Sequence, residues 1–301
     1  MNASVKIVEE PVDGLGPAST YFSVRHNPFP SMNITVLGKS NLVGEAGWRL
    51  GNLLEPGRTN PRAISVIAGE ARFPHVLSKP ITTVFAPIPD FSCDILEYRY
   101  LTRIYPLGQA ISICRGRQAD GFNFPPGTAG AYATGGCVTL VAMIENKGDM
   151  WMCHCARKTL VPPALLKTSD LGTGTGSVLD NLFYALTSEQ VRTTKFALVA
   201  GIGPNSYLLS TEDPEHGPAN RKLIQFVQNR YPENWKRCFP EDLSVGRFSL
   251  PLLAQMELER RGVPSENIWH DGVDTGSDHN YYCHSKRGDG RNLVLALNPG
   301  W

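Results

Sequence analysis

"CVTLVAMIENKGDMWMCHC", residues 137–155, holds two short apolar runs, Cys137–Ile144 and Met150–Cys155, separated by turn-forming residues. Runs of this length with these boundaries predict neighbouring β-strands. Successive strand side chains point to opposite faces. A His154 that faces a site therefore turns Cys153 and Cys155 away from it. Those two cysteines then read as core packing, the ordinary environment of a free cysteine. Cys137 and His154 are left as the pair with chemical potential.

Outward from this stretch, further strand-like runs fall at Tyr21–His26, Ile64–Ala68, Ile81–Ala86, Ala110–Cys114, Phe196–Ile202 and Leu293–Leu297. Helical spacing appears at Ser177–Val191, Pro218–Tyr231 and Ser249–Arg261, the last with Ser249 placed as an N-cap. Strands cluster while helices gather late, which predicts a mixed-sheet α/β architecture over a regular doubly wound one. No linker-like tract divides residues 1–301, so one domain is expected.

The formal charge of +1 argues against a nucleic-acid partner, which would demand a basic stripe, and against a membrane-surface role. No run approaches the length of a membrane-crossing helix, and "MNASVKIVEEPVDGLGPAST" has no apolar signal core. Seven cysteines, an odd number in a long chain, suggest reduced thiols and a cytoplasmic protein. A monomer or weak dimer is expected.

"ADGFNFPPGTAGAYATGGCVTLVAM", residues 119–143, resembles the central segment of the laccase-domain family, whose members carry the labels polyphenol oxidase and purine nucleoside phosphorylase. "CHCARKT" (153–159) falls where that family has His-Ala-Gly-Trp-Arg-Gly, and "AGIGPNSYLLS" (200–210) is similar to its Ile-Gly-Pro segment. "DTGSDHNYYCHSKRGDGR" (274–291) and "YFSVRHNPFPSMNI" (21–34) resemble its closing and opening motifs. The resemblance implies one domain of two packed mixed β-sheets flanked by helices, a four-layer α/β/β/α arrangement. It also implies a zinc ion held by one Cys and two His beside a nucleoside pocket.

Carried over residue by residue, the implied cysteine ligand is Cys137 and one histidine is His154. The other histidine position falls on Arg72 in "EARFPHV", with His75 three residues on. Gly136, Arg157-Lys158, Asp274 and Ser285-Lys286 also depart from the family pattern, so the framework is retained better than the polar site. A copper requirement does not follow, since a multicopper centre needs many more closely spaced histidines.

Candidate anion-binding residues are Arg25 and His26, Arg72, and the group His284, Lys286 and Arg291 beside the "YYC" aromatics. "GTGTGS", 172–177, lacks the lysine ending of a phosphate loop and reads as a flexible loop. Three functions stay open. One is a zinc-assisted phosphorolysis or hydrolysis of a purine nucleoside, with Cys137, His154 and His75 on the metal and Arg25 and Arg291 steering phosphate. Another is a metal-free enzyme of specialised metabolism using Cys137 as nucleophile and His154 as acid–base for cyclisation, hydrolysis or isomerisation. The third is a non-catalytic small-molecule binding protein.

Overall fold

The computed structural model describes residues 4–10, 19–40, 47–49, 63, 66, 67, 70, 81–107, 111–116, 118–144, 148–162, 176–241, 246–286 and 289–300. Two sheets form the frame. The larger runs in the order β1 (Ser4–Glu10), β2 (Ser19–Phe29), β3 (Met32–Ser40), β14 (Asn292–Asn298), β9 (Thr128–Thr134), β4 (Thr83–Phe85), β7 (Ile111–Arg115), β6 (Arg103–Leu107). The smaller runs β13 (Ile268–His270), β12 (Lys195–Val199), β10 (Val138–Met143), β11 (Met150–Cys155), β8 (Gly121–Phe124), β5 (Ile95–Leu96). Both are mixed: β4 lies parallel to β7 and β9, and β12 parallel to β13, while most other pairs are antiparallel.

Alternation along the strands sorts the side chains into layers. In β14, Val294 and Ala296 meet Phe122, Met152 and Val199 of the other sheet, while Leu293, Leu295 and Leu297 face outward. In β11, Met150 and Met152 face the first sheet, and Cys153 and Cys155 pack with Leu253 and Leu258 on the helix side. Each large side chain buried this way contributes about 1.5–3 kcal/mol, so the alternation holds the sheets in register. Helices cover both outer faces, which makes the expected α/β/β/α stack of two packed mixed sheets the observed fold.

Among the described residues the helices with full bounds are α1 (Arg157–Leu160), α2 (Val178–Tyr184), α3 (Ser188–Thr193), α4 (Gly217–Arg230) and α5 (Leu250–Arg260). Ser249 caps α5 as its sequence suggested, accepting from the Leu252 N–H. The continuous helix expected over Ser177–Val191 is two. Ser177 and Asp180 form one capping box, and Thr187 and Gln190 form a second that starts a new helix. The strand expected at Ile64–Ala68 is also corrected. Ala63, Val66, Ile67 and Glu70 are helical, and their i, i+3, i+4, i+7 spacing buries one face on the larger sheet. A β-branched run had masked that period. Among the described residues no helix is long and apolar enough to cross a membrane.

Topology brings one rim of each sheet together. The parallel strands β4, β7 and β9 end on the same side, at Phe85, Arg115 and Thr134. Such carboxyl ends are where open α/β sheets place ligand crevices. In the smaller sheet, β10 and β8 run antiparallel to β11, so both begin where β11 ends. The Tyr132 hydroxyl donates to the Ala119 carbonyl at 3.1 Å and ties the two rims together.

Candidate active site

Three residues meet at the shared rim. Cys137 immediately precedes β10, His154 is the penultimate residue of β11, and Asp120 immediately precedes β8. Thr139 lies opposite His154 in the ladder. Cys137, two residues earlier, shares that face. Cys137 and His154 both line one cleft of about 560 Å³.

The chain crosses from the larger to the smaller sheet over Gly135–Cys137, and this crossing is firmly held. The Thr134 hydroxyl donates to the Cys137 carbonyl at 2.7 Å, while the Ile202 and His284 N–H groups donate to the carbonyls of Gly136 and Gly135, each at 2.8 Å. Gly136 has φ +108°, a conformation that side chains disfavour. Gly136, one of the departures from the family pattern, is therefore required by the backbone here.

His154 is 4% exposed and its Nδ1 lies 2.9 Å from Oδ1 of fully buried Asp120. The other Asp120 oxygen accepts from the Cys93 N–H at 3.0 Å. With Nδ1 engaged, Nε2 is the ring nitrogen left to interact with Cys137. Burial pulls the His154 pKa down, but the charge of Cys137 and the hydrogen bond to Asp120 outweigh it and lift the group to about 9. The neighbouring thiols differ: burial drives Cys153 and Cys155 well up and Cys93 up to about 12. Those three stay protonated at neutral pH.

The facing wall is Pro87, Ile88, Pro89 and Phe91, from the loop that follows β4. The Phe91 ring sits 5.5 Å from the His154 ring, and Lys158 Nζ lies 5.6 Å from its centroid. Phe91 and Cys93 both have positive φ, +63° and +67°, in the loop that leads to the Asp120 contact. Arg49, Arg115, Arg291, His284 and the segment Ala133–Gly135 complete the described lining.

Of the candidate residues, Cys137, His154, His284 and Arg291 reach the cleft. Arg25 does not: its Nε and Nη2 donate to Glu70 Oε2 at 3.1 and 2.9 Å, a pairing invisible at short sequence range. His26 does not line the cleft either. It is 3% exposed, packs 5.1 Å from the Trp269 ring, and burial lowers it to about 4. Lys286 ends the short turn His284–Lys286, and its side chain lies outside what is described. Arg72 and His75 lie outside the described residues, as does most of the GTGTGS run. Asp120, Phe91, Arg49 and Arg115 were not singled out from sequence. Only Asp120 carried a signal, as the acidic residue of the quoted "ADG".

The donor set bears on zinc. A catalytic zinc site needs three protein ligands. Among the described residues no group of three His, Cys, Asp or Glu side chains is arranged to hold a metal ion, and Asp120 is already engaged by His154 and Cys93. The wall opposite Cys137 and His154 is apolar, and three guanidinium groups oppose a dication. Cys137 and His154 supply two zinc donors, and the third position that the resemblance implies, at Arg72 or His75, lies outside the described residues.

Fold and cleft define a two-sheet α/β/β/α protein with a cysteine–histidine–aspartate cluster where the sheets meet. The fold is that of YlmD from Geobacillus stearothermophilus, with 15% identity, TM-score 0.60, and 91% of this chain and 95% of that one covered. NMB0706 of Neisseria meningitidis has it too, at 14% identity and TM-score 0.59 over 92% and 98% of the two chains. YfiH of Bacillus licheniformis matches at 14% and 0.57, over 91% and 98%. These are laccase-domain proteins, so the fold implied by the sequence resemblance is the fold observed. No family model matches the chain, and no curated protein matches it.

Proposed function

We propose that this chain is a metal-free small-molecule enzyme that uses Cys137 as nucleophile, His154 as general acid–base and Asp120 as the group that orients His154. The observation that carries the reading is the 2.9 Å contact between His154 Nδ1 and a fully buried carboxylate, with the imidazole and Cys137 on one cleft. An imidazole held this way presents a single tautomer and is stabilised when protonated. Three arginines and an apolar wall around the pair suit organic substrates better than a metal.

In the proposed reaction His154, raised to about 9, starts as the imidazolium and already holds the Cys137 proton on Nε2. The resulting thiolate attacks an electrophilic carbonyl carbon. As the tetrahedral species collapses, the leaving group takes the proton from His154 and a thioester on Cys137 remains. His154 then deprotonates water, which attacks the thioester. The products are a carboxylic acid and the regenerated thiol. An internal nucleophile of the substrate in place of water would make the same chemistry a cyclisation.

The test is selective alkylation of Cys137 by iodoacetamide, followed by mass spectrometry, together with zinc analysis of the purified protein. Metal-free protein whose Cys137 labelling falls at least tenfold in His154→Ala supports the reading. Stoichiometric zinc that disappears in Cys137→Ala overturns it in favour of the second reading. That reading is zinc-assisted nucleoside phosphorolysis, favoured by the fold of the laccase-domain proteins. Cys137 and His154 would then need a third ligand such as His75, and base release from inosine or adenosine would report it.

A further inference from the structure

We infer that the cleft binds an amphipathic organic oxyanion, with its carboxylate or phosphate on Arg115 and its aryl or alkyl body against Pro87, Ile88 and Phe91. The inference rests on the reading of this cleft as the active site and names its substrate class.

The charge inventory comes first. Among the described residues the cleft lining includes three arginines and no carboxylate. Two of the arginines are occupied by backbone. Arg49 donates through Nε and Nη2 to the Asp289 carbonyl, and Arg291 donates through Nη1 to the carbonyls of Asp289 and Gly290. Arg115 differs. Its Nε and Nη2 are shut off from solvent and have no hydrogen-bond partner among the described residues. Burial also lowers its pKa, as expected of a guanidinium without a counter-charge.

Nε and Nη2 form the side-on edge of a guanidinium, two N–H donors that fit an oxyanion. Elsewhere this fold fills that edge with a carboxylate. Arg25 uses it on Glu70, at 3.1 and 2.9 Å, and Arg230 on Glu257, at 2.7 and 3.5 Å. Arg115 lines the cleft with no protein carboxylate on this edge, so a small turn of its side chain toward the cleft would set the edge against a ligand's anion.

The apolar half is equally specific. Ile88 is 42% exposed and Phe91 37%, both large hydrophobics left open at the cleft. Topology sets the two halves side by side. β4 and β7 are parallel neighbours, Ala86 N–H donates to the Cys114 carbonyl at 3.0 Å, and the next residues are Pro87 on one strand and Arg115 on the other. A ligand spanning both would reach past Phe91 toward His154 and Cys137. About 560 Å³ accommodates a small organic molecule of this kind.

Calorimetric titration with phenyl phosphate, benzoate, inorganic phosphate and neutral benzamide tests the inference on the full chain. Expected are measurable binding of phenyl phosphate or benzoate, at least tenfold tighter than inorganic phosphate or benzamide. The tighter of the first two identifies the oxyanion. Arg115→Gln should weaken that binding at least tenfold, and Phe91→Ala should weaken phenyl phosphate without changing inorganic phosphate. Should Arg115→Gln fail to fold, Arg115→Lys, expected to weaken binding at least threefold, carries the comparison. Equal affinity in wild type and either Arg115 variant, or equal binding of benzamide, overturns the inference. The same titrations on Cys137→Ala separate it from the catalytic reading: anion binding that survives there while His154→Ala leaves labelling unchanged keeps the ligand class and discards the nucleophile.

Discussion

His154 Nδ1 and Asp120 Oδ1 stand 2.9 Å apart, and the carboxylate has no exposed surface. The two residues are 34 positions apart in sequence, and antiparallel pairing of β8 with β11 makes them neighbours. Since Asp120 also accepts from the Cys93 N–H, it fixes the imidazole and anchors the Phe91 loop together.

Asp120→Asn preserves shape and removes the charge, leaving His154 free to adopt the wrong tautomer. Turnover, or Cys137 labelling in its place, should fall by about 10²–10⁴-fold. In an NMR titration the His154 transition, near pH 9 in the native protein, should move to lower pH. An unchanged transition would falsify the proposed role of Asp120.

The two buried histidines should pull stability in opposite directions with pH. His154 is raised to about 9 from the ordinary 6.5, so its contribution is complete below about pH 6.5 and is lost as pH rises through 9. His26 is lowered to about 4, so its contribution is complete above pH 6.5 and is lost as pH falls toward 4. The His26 effect amounts to about 3 kcal/mol. Asp271, raised to about 6 by burial, slopes the other way within the acid window. Thermal melts from pH 4 to 7 on His26→Phe against native protein isolate the histidine. The variant should lose the smaller share of its stability on acidification.

Two cysteine substitutions should separate chemistry from packing. Cys153→Ala empties part of a fully buried, helix-side core and should cost roughly 1–2 kcal/mol in denaturant unfolding. Its Cys137 labelling rate should stay within about twofold of native, the scatter expected for a site untouched by the change. Cys137→Ser should do the reverse, abolishing thiol reactivity with a melting temperature close to native.

Gly136→Ala places a side chain at φ +108°. Strain of about 1–3 kcal/mol is expected, and relief of it would displace the adjacent Cys137. Loss of labelling with a cooperative unfolding transition is the anticipated result. Native reactivity in the alanine variant would show that the crossing tolerates a different backbone.

Much of the frame was legible from local periodicity. The runs around Cys137 and His154 are strands, and alternation sends Cys153 and Cys155 to the opposite face, because strand direction follows from covalent geometry alone. The errors arose where two local codes overlap. Val66 and Ile67 look like strand residues until Ala63 and Glu70 complete a helical face, and Thr187 looks like helix interior until its side chain caps Gln190.

By itself, then, the sequence determined the strands around Cys137 and His154, the opposite facing of Cys153 and Cys155, and the cysteine and histidine worth comparing. Tertiary structure decided which other groups join them. Asp120 arrives through ladder register, and Arg115 through the parallel alignment of β7 with β4. Arg25 is withdrawn by Glu70, 45 positions away. Hydrophobic period is written in neighbouring residues, whereas a buried charge takes its partner from whatever chain the fold brings within hydrogen-bonding distance.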